Sequence, residues 1–411
     1  MKRLLGLILV TVTAWSWGQN TLEVCSTCTF TSLKEAIAIA QPYDKILVKG
    51  GSFAEGNIVV DKPLTLEGID NPILDGKGEV EILTITADNV TIRGFTLQNA
   101  GISHTADQAA IKTLEVEKCL IENNTLLDNF FAIYLGKTSH CQVLNNIVRA
   151  HATAEAFSGN AVHLWDCADI LVKDNFLTGQ RDGVYLEFVK DSLIENNISE
   201  KNLRYGLHFM YSNNNIFRNN QFLANGAGVA VMYSKNIEMT QNHFEENWGS
   251  AIYGLLLKEI NDSVLYNNIF HDNSVGIYVD GANRTDISFN DFSHNGYALR
   301  ILSSSMGVTI DHNNFYGNSF DVTTNANRSY NAFFENYWES YQGYDLDHNG
   351  FGDVPYRPVR LFALTVENYP QTMILMRSPL EQFMDYAERI LPIFTPKAIE
   401  DDRPLMRRVV W

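Results

Sequence analysis

The stretch Asn220–Asn247, NQFLANGAGVAVMYSKNIEMTQNHFEEN, carries the pattern that decides the fold. Its first two asparagines, Asn220 and Asn225, are five residues apart with Phe222 between them, and the same arrangement returns 22 residues later. The leading asparagine recurs with gaps of 22, 29, 22, 23, 22, 26, 22, 23 and 23 residues, at Asn124, Asn146, Asn175, Asn197, Asn220, Asn242, Asn268, Asn290, Asn313 and Asn336. A period of this size indicates a repeat architecture.

Each repeat consists of short runs with alternating apolar residues, bounded by Asn, Asp and Gly. One run precedes the recurring asparagine, as in residues 191–197, and another follows a glycine, as in residues 183–188. Three short strands in one repeat fit one coil of a parallel β-helix, in which asparagine tolerates the turn and its side chains can stack as a ladder. We therefore predict an all-β fold: a right-handed parallel β-helix of roughly 22-residue coils with a short helical C-terminal segment.

The N-terminal residues predict export. Met1–Gly18 combines two basic residues, an apolar run and a small-x-small end, which is typical of a cleaved signal peptide and too short to span a membrane. We predict a periplasmic mature chain with a β-helix domain over residues 19–358. A short helix at Thr31–Ala40 covers its open end, and the two longest gaps predict insertions at about Ala150–Asn160 and Trp248–Lys258.

The last part of the chain, residues 359–411, differs in character. Ser378-Pro379-Leu380-Glu381 is a helix start, so we predict a helix at about residues 379–391. Its apolar stripe either packs on the last coils or docks on a partner, with Phe383 and Met384 as candidate partner contacts. The basic and apolar tail Arg403–Trp411 could contact a partner or a membrane protein, or be disordered.

Charge and cysteines limit the classes of function. The net charge of −17 disfavours nucleic acid and anionic membrane surfaces as partners. Cys25 and Cys28 form an exported CxxC pair, for which a local disulfide is slightly preferred over a metal site or a redox pair. Cys119 and Cys141 both lie five residues before a recurring asparagine, so they should stack within disulfide distance. A reduced pair is the alternative.

The outward positions of the strand after the glycine form an unusual face, which we call the strip. Its two columns are Tyr134, His163, Tyr185, His208, Ala230, Tyr253, Tyr278 and Arg300, and Gly136, Trp165, Glu187, Met210, Met232, Leu255, Asp280 and Leu302. The inward neighbours are nearly all aliphatic, with Ile252 and Gly254 in the coil of the second insertion. An exposed aromatic face indicates a binding surface, and Tyr185, His163, Trp165 and Tyr253 are its candidate partner contacts.

Within the strip, His208, Met210, Met232 and Glu187 are candidate copper ligands. Imidazole and thioether groups together suit Cu(I), which could be held transiently. The alternative, to which we give more weight, is that an inserted loop or a terminal segment packs on the strip and the methionines fill gaps.

A second candidate metal site follows the last coil. Asp345, Asp347, Asn349 and Asp353 have the spacing of a calcium loop, with a glycine at its sixth position. The twelfth position is Tyr356 instead of the expected glutamate, and we favour an Asx-rich turn without calcium.

Longer strings in these coils carry a family resemblance. GVYLEF at 183–188, RYGLHFMYS at 204–212, GVAVMYS at 228–234, and GYDLD with DVPYRP between residues 343 and 358 resemble the NosD family. The resemblance covers nearly the whole mature chain. It implies a periplasmic β-helix, with no catalytic activity of its own, that helps to assemble the copper–sulfide centre of nitrous oxide reductase. It also implies three partners, namely the reductase, a copper chaperone lipoprotein, and an ABC transporter of permease and ATPase that holds the protein at the membrane.

The alternative is an extracytoplasmic polysaccharide lyase, hydrolase or epimerase, or a carbohydrate-binding β-helix. Strip aromatics would stack on sugars, beside Asp280 and Arg300 on neighbouring coils. Hydrolysis requires two carboxylates across the scissile bond, whereas Glu187 and Asp280 are predicted several coils apart.

Overall fold

The computed structural model describes residues 20–103, 106–248, 253–326, 328–390 and 397–410. Its short strands form three parallel sheets, and the chain visits sheet A, sheet B and sheet C in turn in each coil. This arrangement confirms the predicted right-handed parallel β-helix, which has about 14 turns of about 23 residues. The predicted signal peptide lies outside the described residues.

The strands and helices have the following bounds. Sheet A contains Thr21–Val24, Lys45–Lys49, Thr65–Ile69, Thr91–Arg93, Leu120–Glu122, Gln142–Leu144, Leu171–Lys173, Leu193–Glu195, Ile216–Arg218, Glu238–Thr240, Asn261–Tyr266, Asn283–Ser288, Met306–Asp311 and Tyr330–Phe334. Sheet B contains Ser52–Phe53, Ile73–Asp75, Thr96–Gln98, Thr125–Leu127, Ile147–Arg149, Phe176–Thr178, Ile198–Glu200, Gln221–Leu223, His243–Glu245, Ile269–His271, Asp291–Ser293, Asn314–Tyr316 and Tyr337–Trp338. Sheet C contains Ile58–Val60, Leu83–Ile85, Ala109–Leu114, Phe131–Gly136, Asn160–Trp165, Asp182–Glu187, Tyr205–Met210, Ala227–Met232, Leu255–Lys258, Val275–Asp280, Tyr297–Ile301 and Phe320–Thr323. The helices are α1 (Leu33–Ile39), α2 (Leu361–Asn368) and α3 (Pro379–Ile390), with 3₁₀ turns at Glu155–Phe157 and Pro370–Leu375.

The recurring asparagines form a buried ladder at the corner between sheets A and B. The backbone N–H and the side-chain amide of Asn220 both donate to Asn242 Oδ1, at 3.0 and 3.1 Å. The same amide donates to the carbonyl of Ile194 at 2.9 Å. Below the ladder, aromatic side chains stack through the core, as in Phe244 and Phe270 with ring centroids 4.6 Å apart. The ladder therefore fixes the register of each coil on the next.

The predicted helix over the N-terminal end is present, and both predicted cysteine pairs lie together. Ser32 caps helix α1 by accepting a hydrogen bond from the Glu35 N–H, and the helix buries Leu33, Ala36 and Ile37 in the main core. Disulfides join Cys25 to Cys28 and Cys119 to Cys141, and the latter pair lies in the core. These bonds fit a location outside the cytoplasm.

The predicted register of one coil is wrong. The sequence analysis assigns Tyr253 and Leu255 to outward columns, and Ile252, which lies outside the described residues, to the core. The structure instead pairs Val229 with Leu255 and Met232 with Lys258, a shift of three residues. The extra residues of the second insertion all precede the strand, so Leu256 and Lys258 hold the outward positions.

The C-terminal tail closes the open end of the β-helix. Residues 398–405 run beside the last coil, with bridges from Phe333 to Asp401 and from Tyr337 to Leu405. Asp401 is fully buried and accepts hydrogen bonds from five N–H groups: the backbone N–H groups of Glu335, Asn336 and Arg403, the Asn336 amide and the Trp338 indole. The asparagine ladder thus ends on an aspartate, and the tail is bound to its own chain up to Val409, which pairs with Asn314.

Asp401→Ala should lower the free energy of unfolding by about 3 kcal/mol, because it leaves several buried N–H groups without an acceptor. Asp402→Ala is the matched control, since Asp402 is exposed, and it should change stability by less than about 0.5 kcal/mol. Urea unfolding monitored by tryptophan fluorescence compares the two. Equal stabilities would mean that Asp401 does not cap the ladder.

Candidate functional site

The strip lies on the outer face of sheet C, and the observed register brings the predicted copper ligands together. Glu187 pairs with Met210, which pairs with Met232 in the next coil, while Tyr185 pairs with His208. Glu187, Met210 and Met232, which belong to the second column of the strip, are half-buried. They lie in one line along the axis, at the strand spacing of a sheet.

His208 is the most unusual member of this group. Its side chain is only 6% exposed, and neither ring nitrogen has a hydrogen-bond partner among the described residues. The rings of Tyr205 and Tyr185 pack against it, with centroids 4.7 and 5.0 Å away. Burial lowers the pKa of His208 to about 4, so the imidazole is neutral with a free lone pair at physiological pH.

The two tyrosines that pack on His208, Tyr185 and Tyr205, also make polar contacts with neighbouring side chains. The Tyr185 hydroxyl donates to Met210 Sδ at 3.7 Å. The Tyr205 hydroxyl lies 3.4 Å from that of Tyr253, which comes from the end of the second insertion. Tyr253 therefore reaches the strip although its predicted register is wrong.

The N-terminal part of the strip is an aromatic stack. His163 lies between Tyr134 and Tyr185, with centroid distances of 4.7 and 4.8 Å. Its Nδ1 lies 2.9 Å from the Asn160 amide nitrogen, and burial lowers the pKa of His163 to about 3. Among the candidate partner contacts, Trp165, Tyr185 and Tyr253 are half-buried and keep an exposed portion, whereas His163 is buried.

A terminal segment does pack on the strip, but only at its far end. Arg300 donates to Glu367 of helix α2 at 2.6 Å, and Phe320 contacts Phe362 of the same helix. Met210 and Met232 are left outside this contact. That an inserted loop covers the methionines stays a prediction, and Tyr253, at the end of the second insertion, contacts Tyr205 beside them.

Helix α3 presents an apolar surface to solvent. Phe383, Tyr386 and Ile390 are 66%, 63% and 59% exposed, and Ile374 in the preceding turn is 88% exposed. Met384 instead packs against the cluster that includes Phe362 of helix α2. The two predicted docking residues thus lie in different environments: Phe383 is exposed and Met384 is half-buried.

The residues of the predicted calcium loop hydrogen-bond within the loop. Asp345 accepts from the backbone N–H groups of Asn349 and Gly350, and Asp353 accepts from that of Leu346. Asp347 accepts from the Asn349 side chain at 2.8 Å. This is the geometry of the favoured Asx-rich turn. Calcium binding at this loop stays a prediction.

Within the described ranges, no group of three or more His, Cys, Asp and Glu side chains is placed to hold a metal ion, so a copper site on the strip would depend on thioethers. In the same part of the chain, no helix has the length and apolar character needed to cross a membrane.

Comparisons with known proteins agree with this geometry. A family model described as "Periplasmic copper-binding protein (NosD)" matches residues 149–346, which include the candidate copper ligands. A protein of Pseudomonas aeruginosa named "Probable ABC transporter binding protein NosD" is 30% identical over 398 residues, which is 90% of this chain and 92% of the relative. The chain belongs to the NosD family. A NosD protein of Stutzerimonas stutzeri with the same name is 26% identical over 370 residues, covering 86% of this chain and 85% of its own.

Solved structures share the fold of this NosD-family chain at low identity. The Dettilon tailspike protein has a TM-score of 0.58 at 13% identity, covering 75% of this chain and 69% of its own. A mannuronic acid specific family 6 polysaccharide lyase from human gut microbiota has a TM-score of 0.55 at 14% identity, with 80% and 88% coverage. These similarities concern the β-helix alone.

Four aromatic residues lie beside the site but do not belong to the two columns of the strip. Tyr205 precedes the outward positions, yet it packs on His208. Phe188, Tyr211 and Tyr233 directly follow Glu187, Met210 and Met232 and stack on one another. A comparison of the residue after each strand, coil by coil, would have found these three.

The buried imidazole of His208 should make this NosD-family protein sensitive to acid. The pKa of His208 is 6.5 in the unfolded chain and about 4 in the folded chain, so the unfolded chain binds more protons between these values. Stability is therefore complete above pH 6.5 and is lost as the pH falls towards 4. When the pH falls from 7 to 5, the free energy of unfolding of the unmodified chain should decrease by about 2 kcal/mol more than that of His208→Gln.

Urea unfolding at a series of pH values measures this difference. His151→Gln is the control, because the His151 side chain is 86% exposed, and it should follow the unmodified chain. Parallel pH profiles for all three proteins would contradict the neutral, buried state of His208.

Proposed function

We propose that this chain is a periplasmic accessory protein for assembly of the copper–sulfide centre of nitrous oxide reductase. It binds Cu(I) transiently at His208, Met210 and Met232, with Glu187 beside them. It acts with an ABC transporter of permease and ATPase, and with a copper chaperone lipoprotein. It has no catalytic activity of its own, and its predicted signal peptide directs its export. Two observations support the family role, namely the copper-binding family description and the transporter-binding names of its relatives.

The observation that carries the metal-binding part is the imidazole of His208, which has no hydrogen-bond partner among the described residues. A buried polar group without a hydrogen bond is costly, and such a group in a folded protein calls for a missing partner. Met210 lies two residues further along the same strand, and Met232 pairs with Met210 in the next coil. A neutral imidazole and two thioethers are the ligand types that suit Cu(I).

The surrounding residues support transient binding. The Tyr185 hydroxyl contacts Met210 Sδ and so limits where that thioether can turn. Met210 and Met232 are partly exposed, which leaves them reachable by ligands of another protein. The rigid β-helix holds these groups at a fixed spacing, whereas their long, flexible side chains can move as the ion is exchanged.

Partner contacts are proposed for two surfaces. Trp165, Tyr185 and Tyr253 have exposed portions beside the copper ligands, where the reductase or the chaperone would approach, and His163 supports them from below. Phe383, with its apolar neighbours on helix α3, is proposed to contact the transporter.

The geometry gives no support to carbohydrate hydrolysis on the strip. Glu187 and Asp280 lie four strands apart in sheet C, which is about 19 Å at the usual strand spacing. A glycosidase requires its carboxylates within about 10 Å of each other. Asp280 is also engaged by Lys258, whose ammonium group is 3.6 Å away.

The proposed function can be tested by coexpression in a host without its own maturation proteins. The reductase, the transporter and the chaperone are expressed with the unmodified chain, with the triple variant His208→Ala, Met210→Ala, Met232→Ala, or without the chain. We expect the four-copper absorption band only with the unmodified chain. The purified triple variant should also bind Cu(I) at least about 100-fold more weakly in competition with a chromophoric chelator, since it lacks the direct ligands.

The control variant His151→Ala, Met306→Ala changes exposed residues outside the strip, and both the band and Cu(I) binding should be retained. A band that persists in the triple variant but not without the chain would contradict copper handling and leave a scaffold role. A band that forms equally without the chain would contradict the maturation role itself.

A further inference from the structure

Three aromatic side chains, Phe188, Tyr211 and Tyr233, form a stack on the surface beside the strip, which we call the aromatic ladder. Consecutive ring centroids are 5.5 and 5.1 Å apart, and the ring planes are nearly parallel, at 11° and 16°. Phe188 and Tyr211 are 48% and 45% exposed. The ladder thus extends over three coils and places apolar surface in contact with solvent.

The choice of aromatic residues here is not explained by the fold. All three have a left-handed backbone, with φ of 57°, 51° and 54°. The corner between sheets C and A has this conformation in the neighbouring coils as well, and the equivalent positions there are occupied by polar residues or glycine at Lys137, Asp166, Glu259 and Gly281. Bulky residues are rare in this conformation, and such strain is concentrated at functional surfaces.

The position of the ladder links it to the copper ligands. Each of its members immediately follows a residue of the candidate site: Phe188 follows Glu187, Tyr211 follows Met210, and Tyr233 follows Met232. The ladder is therefore continuous with the exposed edge of that site. A protein that delivers or removes the ion must bring its own ligands to this edge.

The orientation of the rings favours a protein over a sugar. Sugars stack on open ring faces, but the faces of Tyr211 are covered by Phe188 and Tyr233. Because both faces of Tyr211 are covered and the side chain is 45% exposed, its exposed area lies at the ring edge, which suits the apolar side chains of a protein surface.

The charges around the ladder indicate the rim of the partner. Asp166 and Glu259 occupy the equivalent positions in the coils on either side of the ladder, and Glu187 lies on its strip side. Lys190 and Lys235 are two residues beyond the ladder, on the side away from the strip. Lys258, which pairs with Met232 in the next coil, lies 3.6 Å from the Asp280 carboxylate. With Asp166, Glu187 and Glu259, the edge next to the copper ligands therefore carries more acidic than basic groups and complements a basic rim.

We propose that the aromatic ladder is the docking surface for a Cu(I)-carrying protein, with apolar residues around its metal site and lysine or arginine at its rim. This inference rests on the proposed function, because it names the surface through which the ion would reach His208, Met210 and Met232. The ladder binds the carrier protein and does not ligate the ion.

The test is the variant Phe188→Asn, Tyr211→Asn, Tyr233→Asn. Asparagine accepts the left-handed backbone, so the corner is retained while the aromatic surface is removed. The matched control is Tyr266→Asn, Phe289→Asn, which removes another aromatic pair, exposed at Tyr266 and half-buried at Phe289, with ring centroids 5.1 Å apart and φ of 57° at Phe289. Circular dichroism and thermal melting confirm that both variants fold.

Two affinities are measured for each protein. The first is for the Cu(I)-loaded soluble domain of the copper chaperone lipoprotein, by biolayer interferometry at low and high salt. The second is for Cu(I) alone, by competition with a chromophoric chelator. The ladder variant should bind the chaperone at least about tenfold more weakly, while its Cu(I) affinity stays within about twofold. The control should retain both affinities.

Equal chaperone binding by the ladder variant and the unmodified chain would overturn the inference. So would unchanged chaperone binding together with loss of binding to alginate oligosaccharides, since the ladder would then be a sugar site. If the unmodified chain binds no Cu(I) but the ladder variant still loses the chaperone, copper binding on the strip fails and the docking surface stands. The two proposals are thereby separated.

Discussion

The buried asparagine ladder is the interaction on which the rest of the structure depends. At each corner between sheets A and B the backbone leaves one strand and enters the next, so its N–H and C=O groups lose their sheet partners. The asparagine side chain supplies both: its oxygen accepts from the previous coil, and its amide donates to a carbonyl such as that of Ile194. Because unpaired buried backbone groups are costly, a coil that slips in register breaks several hydrogen bonds at once. The columns of the strip, and hence the meeting of Met210 with Met232, follow from this constraint.

A ladder of this kind must end somewhere, and its two ends differ chemically. At the last coil, Asn336 has donors that point to a coil that does not exist, and Asp401 accepts them. Both oxygens of Asp401 face N–H groups, so an amide at this position would direct its own hydrogens at a donor. Burial raises the pKa of Asp401 despite these hydrogen bonds, which shows the cost of placing a charge in the core. The carboxylate is nevertheless the group that satisfies every donor, and it explains why the tail returns to the β-helix.

The sequence predicts those features that the period controls. The spacing of the asparagines predicts the coil, the inward and outward columns, and the stacking of Cys119 on Cys141, all of which the structure contains. The prediction is wrong at Tyr253 and Leu255, because the repeat period does not show whether the extra residues of an insertion lie before or after a strand. It also misses the burial of His208, since the covering ring of Tyr205 comes from the start of the strand, outside the alternation of inward and outward residues. The tail is missed for a third reason: the isolated bridges to Asp401 and Leu405 carry no periodic signal.

The position of His208 shows how a rigid repeat can hold a reactive group. In three consecutive coils the central outward position is an aromatic ring in one stack, formed by Tyr134, His163 and Tyr185, and these rings pack face to face. His163 occupies this stack but directs a nitrogen to the Asn160 amide, whereas His208 has no such amide. The residue at the position of Asn160 changes from coil to coil. Asn160 pairs with Asp182 in the next coil, and Asp182 pairs with Tyr205 in the coil after that. Asp182 is occupied by Arg204, so it does not hydrogen-bond to the imidazole. The described part of the β-helix thus leaves the neutral imidazole of His208 without a hydrogen bond beside two thioethers, at a place where an asparagine in the Tyr205 position would offer one.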